Sequence, residues 1–227
     1  MTALASASLV LYGNVAALFF AGGLPGGSAL AAALGTAFAG LVVLWARRSG
    51  LTLAELGLTR RGALGAALAG SALAAVGAAG ALAVLLFPPL LGEPVSYGPA
   101  ATLGGAALAV HLLLLLPLAV VIPEELAFRG ALLAVLRQRH RALPAVAISA
   151  GVFMLWHVTI VGLTLGQTSL AGSLAFSALG AAAAFAAVFL GGIAFGLLRI
   201  WTGHLAAPIA AHWGFNAALL VGLRALA

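Results

Sequence analysis

The chain has no aspartate, no lysine and no cysteine, and its only acids are Glu55, Glu93, Glu124 and Glu125. Charged residues make up 6% of the sequence. A soluble globular domain carries about 25%. A surface so short of charge cannot be covered with polar groups, which excludes a water-soluble fold and leaves lipid as the solvent. The formal charge of +6 comes from ten arginines set in short clusters between apolar stretches. That is the pattern of positive-inside loops, and it argues against nucleic acid as a partner. Without cysteine there are no disulfides and no thiolate metal sites. The N-terminal stretch lacks a cationic region and a small-residue cleavage site, so it is expected to be a span rather than a removed signal peptide.

What is present is apolar sequence, 64% of the residues. A span needs about 20 such residues. Candidate spans are residues 2–21, 28–46, 63–87, 100–122, 143–162, 174–198 and 204–223. This predicts an all-α polytopic membrane protein, about seven transmembrane helices enclosing an intramembrane site. It is one membrane domain over 1–227, with N-terminal spans in 1–99 and a core in 100–223. The 30 glycines suit helices that approach closely in lipid. Turns are expected at Gly22 to Gly27 around Pro25, in the loop 88–99 with Glu93, and at Gly166 to Ser173. Three basic groups mark cytoplasmic ends: Arg47, Arg48, Arg60 and Arg61; then Arg137, Arg139, His140 and Arg141; then Arg199 beside Trp201. The expected topology has the N-terminus in the cytoplasm and the C-terminus outside. The helical pattern that starts near residue 100 runs through Glu124 and Glu125 to Arg137. At 1.5 Å per residue that is roughly 55 Å, more than a bilayer core of about 30 Å, so kinks are expected at Pro117 and Pro123. No repeat is visible, which gives a transporter built on inverted repeats no support.

The chemistry-bearing residues fall in three places. Glu124 and Glu125 follow the apolar run Leu112 to Pro123, and Arg129 stands one turn on. An ionisable group in a span is costly and marks function by default. Glu125 and Arg129 share a helix face and can pair, whereas Glu124 points about 100° away and is free to act as a base toward water. The bland alternative is a structural ion pair at a helix end. The second place is Phe153 and His157, four residues apart in the fifth span. The third is His212 and Asn216, also four apart, in the last. Taken alone, either histidine reads as well as a hydrogen-bonded packing residue. His204 is expected at the interface, His140 in solvent, and His111 as an isolated polar residue, none of them catalytic. One glutamate and two histidines can share a water, and Asn216 can donate to a developing oxyanion. The reaction class is hydrolysis of an amide by an activated water. A divalent metal such as zinc on Glu124, His157 and His212 is conceivable from the residue types, but the His-Glu-x-x-His signature is absent.

Glu124-Glu125-x-x-x-Arg129, Phe153-x-x-x-His157 and His212-x-x-x-Asn216, in that order, resemble the three motifs of the CAAX protease and bacteriocin-processing family, also called the Abi family. Its relatives include the Rce1-type prenyl-protein endopeptidases. Phe128-Arg129-Gly130 and the text from Gly191 to Asn216 are similar too, and the resemblance covers about residues 100–220. It implies an α-helical intramembrane endopeptidase acting on a membrane-associated protein or peptide, CAAX-type prenylated proteins among them. In that reading Glu124 with His157 activates the water. Glu125 and Arg129 support the site, His212 and Asn216 stabilise the oxyanion, and Phe153 shapes the substrate pocket. The glutamate-type mechanism without a cofactor is favoured over the metalloprotease type. Two other functions remain consistent with the residues: a non-enzymatic immunity or scaffold protein, and a proton-coupled small-solute transporter.

Overall fold

The computed structural model describes residues 2–20, 23, 27–87 and 94–225. The expected turn around Pro25 and the first half of the loop at 88–99, Glu93 included, lie outside the described residues. The described chain is helical, with no strand among the described residues beyond one bridge between Tyr97 and Thr168. The helices are α1 (Thr2–Phe19), α2 (Ala29–Arg48), α3 (Ala63–Leu86), the single turn α4 (Gly98–Ala101), the long α5 (Gly105–Arg137), α6 (Ala142–Trp156), α7 (Val158–Leu165), α8 (Leu174–Thr202) and α9 (Ala206–Ala225). Five of these, α2, α3, α5, α8 and α9, are long and apolar enough to cross a bilayer. A sixth crossing comes from α6 and α7 together, bent by 48° where they meet. The first expected span is a shorter apolar helix. The fold is therefore that of an all-α polytopic membrane protein, with five or six crossings by length and composition among the described residues.

The turns meet at two opposite ends. At one, Arg199 donates to the carbonyl of Glu55, the amide of Leu205 donates to that of Gly57, and His204 donates to that of Thr59. The segment 51–59 is thereby fastened under the turn between α8 and α9. Its Leu51 and Leu56 are fully buried against α5 and α6. Exposed Glu55 folds this loop by accepting from the amide and hydroxyl of Thr52, and those bonds hold its carboxyl below the ordinary range. At the other end, Gly98 donates to Gln167, Ser96 to Ser169, and Arg224 to Ala100.

Small residues set the packing. Ala66, Gly70, Ala74 and Ala78 recur every fourth position of α3 and are its buried face. They lie along α9, where Gly214 faces Ala74 and Gly222 faces Leu82. A side chain at Gly70 would run into the backbone carbonyl of Ala207. Gly35 likewise brings α2 onto the backbone of α5 at Leu118 and Ala119. Without an aqueous driving force, such close van der Waals contact is what holds membrane helices together.

Helix α5 has 33 residues, about 50 Å. It neither breaks at Pro117 nor at Pro123. Instead it widens into π-helical turns at His111–Leu115, Pro117–Val121 and Leu126–Leu132. Such turns accommodate a residue that disrupts the regular ladder, and they gather at functional sites. None of Gly105–Val110 is buried, whereas every residue from Pro123 to Leu133 is. The lower half of α5 is thus wrapped by protein, and that half carries both glutamates.

Candidate active site

Glu125 is completely buried, and its Oε1 accepts two hydrogen bonds. One comes from Nη1 of Arg129 at 2.9 Å, one helical turn on. The other comes from Nδ1 of His212 on α9, also at 2.9 Å. Arg129 is 1% exposed. Its guanidinium lies 4.0 Å from the centre of the Phe153 ring and 5.4 Å from that of Phe195. A buried charge is tolerable only when paired and surrounded in this way. Gly192 leaves room for Nη2, which a Cβ would approach to 3.4 Å. Ser149 completes the local wiring by donating to the carbonyl of Phe128 at 3.0 Å.

Glu124 faces a different set of groups. Its Oε1 accepts from the indole N–H of Trp156 at 3.0 Å. Its Oε2 has no hydrogen-bond partner among the described residues. Two imidazole nitrogens flank that oxygen: Nε2 of His157 at 3.8 Å and Nε2 of His212 at 4.0 Å. The other nitrogen of each ring fixes its tautomer. Nδ1 of His157 lies 2.8 Å from the carbonyl of Phe153, which can only accept. Nδ1 of His212 lies against the Glu125 carboxylate. Each neutral ring therefore carries its proton on Nδ1 and presents a bare Nε2. Three lone-pair atoms converge on one small volume, an arrangement complementary to a bridging group that supplies protons or positive charge, such as a water.

The three sequence clusters therefore meet, from α5, α6 and α9. Glu124, Glu125, Arg129, His157 and His212 form one connected group. Phe153 is buried at its centre, edge-on to His157 at 4.4 Å and to His212 at 6.1 Å, with Arg129 over its face. Asn216 is half-buried one turn beyond His212 and makes no side-chain hydrogen bond among the described residues. Two features escape the sequence. Trp156 is a member of the site, and its signal was available: a buried indole N–H needs an acceptor, and acceptors are scarce in this core. The bond between His212 and Glu125 had no signal, since helical spacing pairs residues only within one helix. Outside the site, His140 is exposed, as expected. His204, at the turn between α8 and α9, is buried, because its ring is tied to Thr59 and to the amide of Ala206. His111 is buried in the upper half of α5, away from the cluster.

Two imidazoles and a carboxylate are a ligand set that zinc hydrolases use. Bonds of about 2.0–2.1 Å in tetrahedral geometry place ligand atoms about 3.3 Å apart. The separations of 3.8 and 4.0 Å are wider than that. No group of three such side chains stands at metal-holding spacing among the described residues. The donor types fit a metal and the spacing does not.

A family model described as type II CAAX prenyl endopeptidase, Rce1-like, matches residues 105–218, which is 114 of 227 residues and just over half of the chain. The match contains every member of the cluster. No curated protein and no solved structure matches the chain.

Proposed function

The chain belongs to the Rce1-like family of type II CAAX prenyl endopeptidases, and on that premise we propose that it is a glutamate-type intramembrane endopeptidase. The observation that carries this reading is the unpartnered Oε2 of Glu124 between two bare imidazole nitrogens. A water there is held by Oε2 and by Nε2 of His157. Glu124 takes its proton as the oxygen attacks the scissile carbonyl. The carbonyl oxygen becomes an oxyanion, stabilised by the amide of Asn216 and by His212, whose bare Nε2 takes up a proton from the medium as the substrate enters, forming an imidazolium, and releases it with the product. Glu125 supports that imidazolium through Nδ1, as a buried carboxylate does in a catalytic triad. Glu124 then returns its proton to the leaving amine, giving a carboxylic acid and an amine, between which the remaining proton passes to leave a carboxylate and an ammonium. Arg129 pairs with Glu125 and holds it in place, and Phe153 holds the rings at their angles and backs the substrate pocket. The substrate is a membrane-associated protein or peptide with a prenylated C-terminal CAAX sequence. The arginine-bearing end of the bundle faces the cytoplasm, where such substrates are anchored, with the N-terminus cytoplasmic and the C-terminus outside, a topology that takes α1 as a further crossing.

The test uses the purified protein in liposomes with a farnesylated CAAX reporter peptide, its unprenylated twin and a bacteriocin-leader peptide. Wild type is expected to cleave the farnesylated peptide fastest, and Glu124→Ala is expected to insert normally and lose about 10²- to 10⁴-fold in rate. Full activity of Glu124→Ala would falsify the mechanism. Equal cleavage of prenylated and unprenylated peptide overturns the substrate class. Activity lost to a chelator and restored by zinc overturns the metal-free assignment.

A further inference from the structure

The crossing that carries His157 is broken at His157 itself, between α6 and α7. In an unbroken helix the amide of Thr159 would donate to the carbonyl of Leu155, four residues earlier. Here neither group finds the other. The side chain of Asn14, from the middle of α1, stands between them. Its Nδ2 donates to the carbonyl of Leu155 at 2.9 Å, and its Oδ1 accepts from the amide of Thr159 at 2.7 Å. The second hydrogen of Nδ2 goes to the carbonyl of Val10 in its own helix at 2.8 Å. One carboxamide thus replaces one rung of the helical ladder, with both of its N–H groups and its oxygen engaged. A side chain inserted into the ladder is a recognised cause of a sharp helix bend.

The residue before it makes an independent contact with the same place. Gly13 lies flat against the ring of Trp156, so close that any Cβ there would collide with it. Tyr12 adds a face, stacked on Phe38 at 4.3 Å and 5.6 Å from the Trp156 ring. Gly13 and Asn14 therefore grip Trp156 and the break at His157. The first of these two residues holds Oε1 of Glu124, and the second faces Oε2.

We propose that Asn14 is a positioning residue of the active site, holding the helix open at His157 so that Nε2 faces Glu124. The first helix, which lies outside the 105–218 match, is then part of the catalytic apparatus. The proposal rests on the role assigned above to Glu124 and His157. Without the carboxamide, the Leu155 carbonyl and the Thr159 amide lose their partners, the break is no longer held in one geometry, and the imidazole moves off the water. A displacement on the order of 1 Å costs about a hundredfold in rate.

The experiment compares wild type, Asn14→Leu, Asn14→Asp, Leu9→Ala and Glu124→Ala with the farnesylated reporter, as kcat per folded enzyme and KM. Hydrogen exchange at the Thr159 amide is measured in parallel. Asn14→Leu is close in size and deletes both bonds. Asn14→Asp keeps the acceptor and sets an oxygen against Leu155, and it is read in the same way if Asn14→Leu fails to insert. Both are expected to lower kcat about ten- to a hundredfold with KM within about twofold, since Asn14 meets no substrate. Leu9, packed on the core from α1, is the control: Leu9→Ala is expected to lower stability and leave kcat intact. Wild-type kcat in both Asn14 variants, with Glu124→Ala inactive, overturns the inference and leaves the proposed function standing. So does an equal fall in kcat for Leu9→Ala, which would assign the effect to α1 packing in general. Activity in Glu124→Ala overturns the proposed function instead. Thr159 exchange then decides: about tenfold acceleration in Asn14→Leu upholds Asn14 as the group that holds the break, and an unchanged rate overturns it.

Discussion

The two histidines that flank Glu124 are delivered by opposite means. His157 sits where a helix is interrupted, and its ring is tied to the backbone of its own helix at Phe153. His212 sits inside the uninterrupted α9, and its ring is tied to a side chain of another helix, Glu125. The first position depends on a few hydrogen bonds placed across a gap. The second depends on a long seam of small residues between α3 and α9. A side that stands on few directed bonds is moved by the loss of one acceptor or donor. A side that stands on close packing is moved by the gain of one methyl group. The site combines a wall that is sensitive to deletion with a wall that is sensitive to insertion.

The largest effect is expected where the two walls share a support. Arg129 pairs with Glu125, which holds His212, and covers Phe153, which holds His157. Arg129→Met should cost about 3–5 kcal/mol by leaving Glu125 buried and unpaired. Thermal unfolding in detergent measures it, and an unchanged melting temperature would sink the claim that the walls share this post. Next comes the packed wall. Gly70→Val drives a side chain into the backbone of Ala207 and should cost about 3 kcal/mol. Hydrogen exchange should accelerate along α9 and not around Thr159, and acceleration at both places would mean that the walls are not independent. Trp156→Phe removes the donor on Oε1 of Glu124 and should cost about 2 kcal/mol. A fall in kcat of about tenfold or more should accompany it, because the carboxylate is free to turn. The smallest change is Ser149→Ala, which leaves the Phe128 carbonyl without its side-chain donor. It should cost about 1 kcal/mol with kcat retained. A large loss of activity there would place α6 among the catalytic supports at a second point.

Much of this was legible in the sequence, for physical reasons that also explain the gaps. Crossings are legible because lipid demands an unbroken apolar run: each expected span has a helix in its place, of which five, or six with the bent pair, are long and apolar enough to cross. Pairs within a helix are legible because the ladder fixes their spacing, so Glu125 with Arg129 follows from the numbers 125 and 129 alone. The break at His157 was not legible. No glycine or proline stands there, and its cause, Asn14, is 143 positions away in the chain. The proline-bearing helix shows the converse: Pro117 and Pro123 signal disruption, yet α5 absorbs them by widening, since α2 lies against its backbone at Gly35. The covering of His204 was not legible either, since the segment 51–59 folds back over it from about 145 positions away.

The seam between α3 and α9 also sets an order of events. A chain inserted from its N-terminus releases α3 into the bilayer long before α9 exists, so the face of Ala66, Gly70, Ala74 and Ala78 waits against lipid while five further helices are added. A nascent chain that has reached Gly203 already contains Glu124 and His157 but not His212. The partner that fixes Glu125 arrives with α9, and its docking needs only contact, with no buried charge to carry into place along α3. On the proposed function, the unfinished polypeptide thus lacks one wall of its reaction chamber, and the surrounding membrane is spared a protease until α9 is made.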